Sequence, residues 1–177
     1  MAPPRRTTAL ALAGLVAIAV AVVAYFVLRP TDASRIRSQL DRLAAAVRIT
    51  DADSQANPIG RLAHVSGELA KLFEPDVDVS IPDVPSSGSG RAELAQLVAG
   101  APSYVRTFEV EFTNVTIKLD DSRTTAFVGA TARAKLIERD GAASQDRRAV
   151  DLHFVQKDGE WVVRSLRVWT TQDAAPP

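Results

Sequence analysis

The sequence contains no cysteine and only two histidines, His64 and His153, among its 177 residues. Without cysteine the chain has neither a disulfide bond nor a lipoprotein anchor. No His, Asp and Glu residues recur at metal-ligand spacing, and no glycine-rich phosphate loop follows a predicted strand. The sequence therefore predicts neither a metal nor a cofactor.

An excess of basic residues is also lacking, because Lys and Arg number 21 and Asp and Glu number 21. Three of the arginines flank an N-terminal apolar run, so residues 30–177 hold 18 basic and 21 acidic side chains, a net charge of −3. A domain that binds nucleic acid normally carries a strongly basic surface. We therefore expect no nucleic acid among its partners.

Charged residues are absent from Ala9 to Leu28. As a helix this run is roughly 30 Å long, which matches the hydrocarbon core of a bilayer. We predict a short tail over residues 1–8 and a transmembrane helix over residues 9–28 that contacts the lipid bilayer. A cleaved signal peptide is the alternative, but its apolar core is usually shorter, and only a weak cleavage site follows here.

The arginines on the two sides of this helix favour opposite orientations. Arg5 and Arg6 favour a cytoplasmic N-terminus, whereas four arginines between residues 29 and 42 favour the reverse. A long domain crosses the membrane largely regardless of flanking charge. We therefore expect a single-pass protein of the bacterial inner membrane with an extracytoplasmic domain, and the reverse orientation is the alternative.

The rest of the chain reads as one domain over residues 33–171, with a disordered tail over residues 172–177. Apolar residues at helical spacing predict a first helix from Asp32 to Arg48. Three further elements follow: a helix that opens at Asn57-Pro58, a strand through Val77, Val79 and Ile81, and a helix from Arg91 to Ala99. From Tyr104 onward the chain is predicted to form a series of strands.

The first strand of that run changes its apolar parity part-way along. Phe108, Val110 and Phe112 alternate with polar residues, but Val115, Ile117 and Leu119 continue one position out of phase. Because a one-residue slip sends every side chain to the other face, we predict a bulge near Thr113-Asn114. Strands from Thr124 to Glu138, Val150 to Gln156 and Trp161 to Thr170 follow.

Asp158-Gly159 predicts a two-residue hairpin turn, which pairs Phe154 with Val163 and His153 with Arg164. One face of the hairpin is assigned to the core because it carries the larger rings: Val150, Leu152, Phe154, Trp161, Val163, Ser165, Arg167 and Trp169. The opposite face carries Asp151 and His153. An unrecognised bulge would overturn this assignment.

Helices followed by an antiparallel meander predict an α+β domain, with about three helices on the concave face of a curved antiparallel sheet. Together with this order, Phe73-Glu74-Pro75-Asp76-Val77, Gly90-Arg91-Ala92-Glu93-Leu94 and Lys157-Asp158-Gly159-Glu160-Trp161 resemble the nuclear transport factor 2-like superfamily, which includes SnoaL-type cyclases and ketosteroid isomerase. The resemblance implies a cystatin-like cone, often with an interior pocket and often dimeric through its sheet.

Under this resemblance, the ligand-pocket candidates are the inward residues and rings: Arg167, Ser165, Trp169, Trp161, Phe154, Phe108 and Phe112. Catalytic residues are not expected. Asp151 and His153 would form an orienter and a base only if the face assignment were wrong, since residues two apart on a strand make poor contact. Glu109, Glu111 and His64 read as surface residues.

Three functions follow. The first is a membrane-tethered, non-enzymatic module that binds a partner protein or assembles in a complex of the cell envelope, with a homodimer through the sheet as the other partner. It is similar in architecture to Mce-associated membrane proteins and to the single-span inner-membrane component of type IV secretion systems. The second is a pocket for a small apolar ligand. The third is a SnoaL-like cyclase, isomerase or hydrolase that uses Asp151 and His153.

Overall fold

A computed structural model describes residues 31–55, 57–82 and 90–169. The predicted transmembrane helix, residues 83–89 and the C-terminal tail lie outside the described residues. No helix within the described ranges combines the length and apolarity needed to cross a membrane. The elements are α1 Asp32–Val47, α2 Pro58–Leu72, β1 Phe73–Ser80, α3 Arg91–Gly100, β2 Val105–Leu119, β3 Thr125–Glu138, β4 Ala143–Lys157 and β5 Glu160–Val168, with short 3-10 helices at Asp51–Gln55 and Ala101–Ser103.

The cap of α2 confirms the predicted helix start. The Asn57 side chain accepts a hydrogen bond from the Ile59 backbone N–H at 3.0 Å, and Pro58 takes the first helical position. The spacing of Ile59, Leu62 and Leu69 predicts that they share a buried face of α2, but Ile59 is 79% exposed and Leu62 is also exposed. Among the described residues, this face is buried in its C-terminal half, through Leu69 and Leu72.

The five strands form one sheet in the order β1-β5-β4-β3-β2. The prediction of an antiparallel sheet is wrong for one pair, because β1 runs parallel to β5. Helix α3 and three strands separate these two strands along the chain, which allows β1 to enter the sheet in the same direction as β5. The α+β class is confirmed, with a mixed sheet.

The predicted bulge in β2 is confirmed. The register with β3 shifts between Thr113 and Thr116, and Asn114 has a φ of 54°. Asparagine tolerates this left-handed conformation better than most residues. The shift returns Val115 and Ile117 to the face that packs against the core.

A second bulge, which the sequence analysis did not place, interrupts the β4–β5 hairpin. Phe154 pairs with Val163 as predicted, but His153 pairs with Ser165, so Arg164 is the extra residue. Every later side chain of β5 therefore changes face. The predicted inward positions of Ser165, Arg167 and Trp169 are wrong, and Leu166 and Val168 pack against the core instead.

The core lies between the helices and one face of the sheet, here called the inner face. Its largest fully buried side chains are Trp161, Phe73, Phe154, Ile36, Leu40, Leu69, Leu152, Val77, Val128 and Val163. Among the described residues, Gln39 is the one polar side chain in the buried set. The inner face therefore meets the helices through an apolar layer.

Candidate functional site

Of the rings predicted to line a pocket, three pack in the interior, whereas Phe108 lines a surface pocket of about 540 Å³ beside Ile49. Trp161 and Phe154 are each 1% exposed and belong to the apolar core. Phe112 is half-buried against the same core, and Phe108 lies on β2, where its backbone pairs with Ile49. Among the ion-paired side chains of the described residues, that of Arg61 on α2 is the least exposed, at 8%, and it pairs with Asp53.

The opposite side of the sheet, here called the outer face, gathers most of the remaining candidates. Two rows of side chains cross all five strands in register: Lys118, Phe127, His153, Ser165 and Asp78 in one row, and Thr116, Gly129, Asp151, Arg167 and Ser80 in the next. They line an open pocket with a volume of about 700 Å³, which we call the outer cleft.

His153 forms an aromatic stack with Phe127 on the neighbouring strand. The ring centroids are 4.5 Å apart and the ring planes differ by 3°. Phe127 is nevertheless 58% exposed, so its outer side is available for contact. The pairing predicted between His153 and Arg164 is wrong, since Arg164 donates to Glu74 at 2.8 Å and this hydrogen bond raises the pKa of Arg164.

Trp169 joins Asp151 and Arg167 into a second cluster at the cleft. Its indole N–H donates to the Asp151 carboxylate at 2.7 Å, and the Arg167 guanidinium carbon lies 5.4 Å from the centroid of its ring. This geometry permits a cation–π interaction that holds the arginine head over the indole. Asp151 thus orients Trp169, and no hydrogen bond joins it to the described atoms of His153.

Gly129 lines the cleft without a side chain, between Phe127 and Thr131 on β3. A Cβ atom added to Gly129 would lie 3.8 Å from the Asp151 carboxylate, which is an ordinary van der Waals distance. The cleft thus offers a ring, a cation and a carboxylate on an open surface. Such a surface recognises a ligand by contact but does not exclude water as a catalytic site usually does.

The other candidates lie apart from the cleft. His64 and Glu111 are exposed, and Glu109 forms an exposed ion pair with Arg48 at 3.4 Å. In the described part of the chain, no three His, Asp or Glu side chains converge in a way that suits a metal ion. These residues add no chemistry to the cleft.

Phe127 is the cleft residue that sequence reasoning missed. It shares its face of β3 with Gly129, Thr131 and Arg133, and Ile137 at the far end of the strand is the other large apolar residue on that face. A large apolar residue among polar neighbours is the signal that the sequence offers. Its contact with His153 depends on the register between β3 and β4, which the turn at Asp140-Gly141 alone does not specify.

Comparisons with known proteins identify the architecture. No family model and no curated protein sequence matches the chain. A nuclear transport factor 2-like superfamily protein from Salmonella enterica serovar Typhimurium has a TM-score of 0.57 and 12% identity, over 80% of this chain and 94% of that one. The chain has the nuclear transport factor 2-like fold.

Two further structures share the nuclear transport factor 2-like fold. A putative calcium/calmodulin dependent protein kinase II association domain from Xanthomonas campestris has a TM-score of 0.61 and 14% identity, over 81% of this chain and 91% of that one. A putative scytalone dehydratase from Novosphingobium aromaticivorans has a TM-score of 0.61 and 20% identity, over 77% and 82%. At these identities the likeness extends to the fold alone.

Proposed function

We propose that this protein is a non-enzymatic module of the bacterial cell envelope, tethered to the inner membrane through residues 9–28, that binds a partner protein through its outer cleft. The observation that carries the proposal is the filled interior. Trp161 and Phe154 are each 1% exposed and pack in the apolar core between the helices and the sheet. We therefore assign recognition of the partner protein to the surface of the domain.

The outer cleft has the residue types that dominate protein interfaces. Phe127 presents an exposed ring, and Trp169 holds Arg167 in place for a partner carboxylate or carbonyl. Aromatic and arginine side chains contribute most often to binding energy when a partner covers them. Their prior ordering lowers the conformational entropy lost on binding.

The two alternatives have weaker support. A small apolar ligand needs interior space that the core side chains occupy. An enzyme that uses Asp151 and His153 needs the carboxylate to orient the imidazole, but Asp151 accepts from Trp169 and His153 stacks on Phe127. Neither residue is arranged as a base with its orienter.

The experiment is co-purification of the full-length chain from membranes, with Phe127→Ala and Arg167→Glu compared with Tyr104→Ala. Tyr104 is the matched control, because it is aromatic and 79% exposed but lies outside the cleft. We expect both cleft variants to lose at least about tenfold of the partner, which corresponds to about 1.4 kcal/mol. Equal recovery with all three variants would contradict the proposed surface, and a stoichiometric apolar ligand would favour the pocket.

A further inference from the structure

Strand β2 forms one edge of the sheet, and only one end of that edge is covered by described residues. The Ile49 N–H donates to the Phe108 carbonyl at 2.9 Å, and the Phe108 N–H donates to the Ile49 carbonyl at 3.0 Å. From Val110 to Leu119, no described residue pairs with the outer edge of β2. Natural proteins usually cover or pair such an edge, because it can associate with other strands.

The direction of the free backbone groups follows from the Ile49 contact. The backbone N–H and C=O of Phe108 point away from β3. Because these groups alternate in direction along a strand, the N–H and C=O of Val110 and Phe112 point away from β3 as well. Beyond the bulge, the Asp120 N–H donates back to Thr125 at 3.1 Å, so the backbone groups of Ile117 and Leu119 also point outward. The side chains of these residues are apolar and half-covered or exposed.

We propose that this edge pairs antiparallel with the same edge of a second copy, about a two-fold axis between Asn114 and Val115. In this register Val110 lies opposite Leu119 of the second copy, and Phe112 lies opposite Ile117. Both pairs are hydrogen-bonded, and they extend the apolar inner face across the junction. The two five-stranded sheets become one continuous sheet of ten strands.

The outer-face side chains are complementary in the same register. Glu111 lies opposite Lys118 of the second copy, and Thr113 lies opposite Thr116. Opposite charges that face each other across strands stabilise a pair, as do facing threonines. Because the axis passes through the bulge, the extra residue of one strand faces the extra residue of the other.

Neighbouring registers with the same hydrogen-bond phase are less favourable. A shift of two residues in one direction places Glu111 opposite Asp120, which is a like-charge pair. The opposite shift places Phe112 against Val115 in the bulge, where the regular ladder is interrupted. The self-complementarity of this one register is the reason for assigning a second copy, and not an unrelated strand, as the occupant. This proposal does not rest on the proposed function of the cleft.

A charge-reversal experiment tests the register in the full-length chain in detergent, by analytical ultracentrifugation. We expect Glu111→Lys and Lys118→Glu each to weaken dimerisation by about tenfold, because each turns two attractive contacts into repulsive ones. The double variant should return to within about twofold of wild type. In one copy these residues are about 20 Å apart along the strand, beyond the range of screened charges, so restoration requires contact between copies. Lys135→Glu on β3 makes the same charge change away from the edge and is expected to have no effect.

The absence of native cysteine allows a second test. Differently tagged Thr113→Cys and Thr116→Cys chains are mixed and oxidised. A non-hydrogen-bonded antiparallel pair brings the two Cα atoms to about 4.5 Å, which suits a disulfide. We expect the mixed disulfide to exceed either homodisulfide, since each homodisulfide would need to span about 10 Å. A monomeric chain, a dimer unchanged by either charge reversal, or an edge protected from hydrogen exchange only by another protein would overturn the proposal.

Discussion

Trp161→Ala tests whether the interior of the cone is filled by its own side chains. Trp161 is 1% exposed and packs with Phe154, Leu152 and Val163 in the core cluster. Removal of such a ring costs the transfer free energy of its atoms and leaves a cavity, so we expect the free energy of unfolding to fall by about 3–5 kcal/mol. Urea unfolding of the full-length chain in detergent, followed by circular dichroism, measures this loss.

Stabilisation by added indole gives a second measurement on the same variant. If Trp161→Ala opens an apolar cavity that binds indole with a dissociation constant of about 0.1 mM, then 1 mM indole restores about 1.4 kcal/mol of stability. The wild-type chain should gain nothing, because its own ring occupies the space. Trp169→Ala on the outer face is the control and should cost about 1 kcal/mol, with no restoration by indole. Stabilisation of the wild-type chain by indole, or a loss below about 1 kcal/mol for Trp161→Ala, would refute the filled interior.

Three further outcomes are expected. Asn57→Ala should lower the free energy of unfolding by about 1 kcal/mol through loss of the α2 cap, whereas Asn57→Asp should retain it, as measured by urea unfolding. Hydrogen bonds from Ser122 and the backbone lower the pKa of Asp120 to about 2. The stability advantage of wild type over Asp120→Asn should therefore be complete above the ordinary carboxyl pKa near 3.8 and be lost as the pH falls toward 2; an advantage independent of pH would contradict this origin. Arg164→Ala should cost less than about 1 kcal/mol, because its ion pair with Glu74 is half-exposed, and a larger loss in urea unfolding would contradict that estimate.

The bulges at Asn114 and Arg164 show which part of the fold the sequence specifies. The bulge at Asn114 is predictable, because apolar residues change parity within one strand and only an extra residue restores them to the core. The bulge at Arg164 leaves no such mark. After Arg164, the odd-numbered positions of β5 and the residue that follows it include Trp169, and the even-numbered positions include Leu166 and Val168. Large apolar residues therefore occur on both faces. Burial of the two aliphatic side chains decides the face in the folded protein.

The outer cleft depends on that same decision and on distant strand registers. The sequence predicts Asp151 and His153 as neighbours on one strand and Arg167 and Trp169 as candidates on the next. It places the two pairs on opposite faces, because it does not predict the bulge in β5. With that extra residue, Asp151 lies directly opposite Arg167. Ser80 joins their row only because β1 pairs in parallel with β5, from which it is far apart in the chain. Local patterns predict strands well, but tertiary packing selects which strands become neighbours.

We propose that a partner protein binds the outer cleft, and site-specific photo-crosslinking in cells detects that contact, with a benzophenone side chain placed at Phe127 or, as the control, at Tyr104. We expect one discrete crosslinked protein from position 127, reduced by Arg167→Glu, and no corresponding product from position 104. The same product from both positions, or none from position 127, would contradict it.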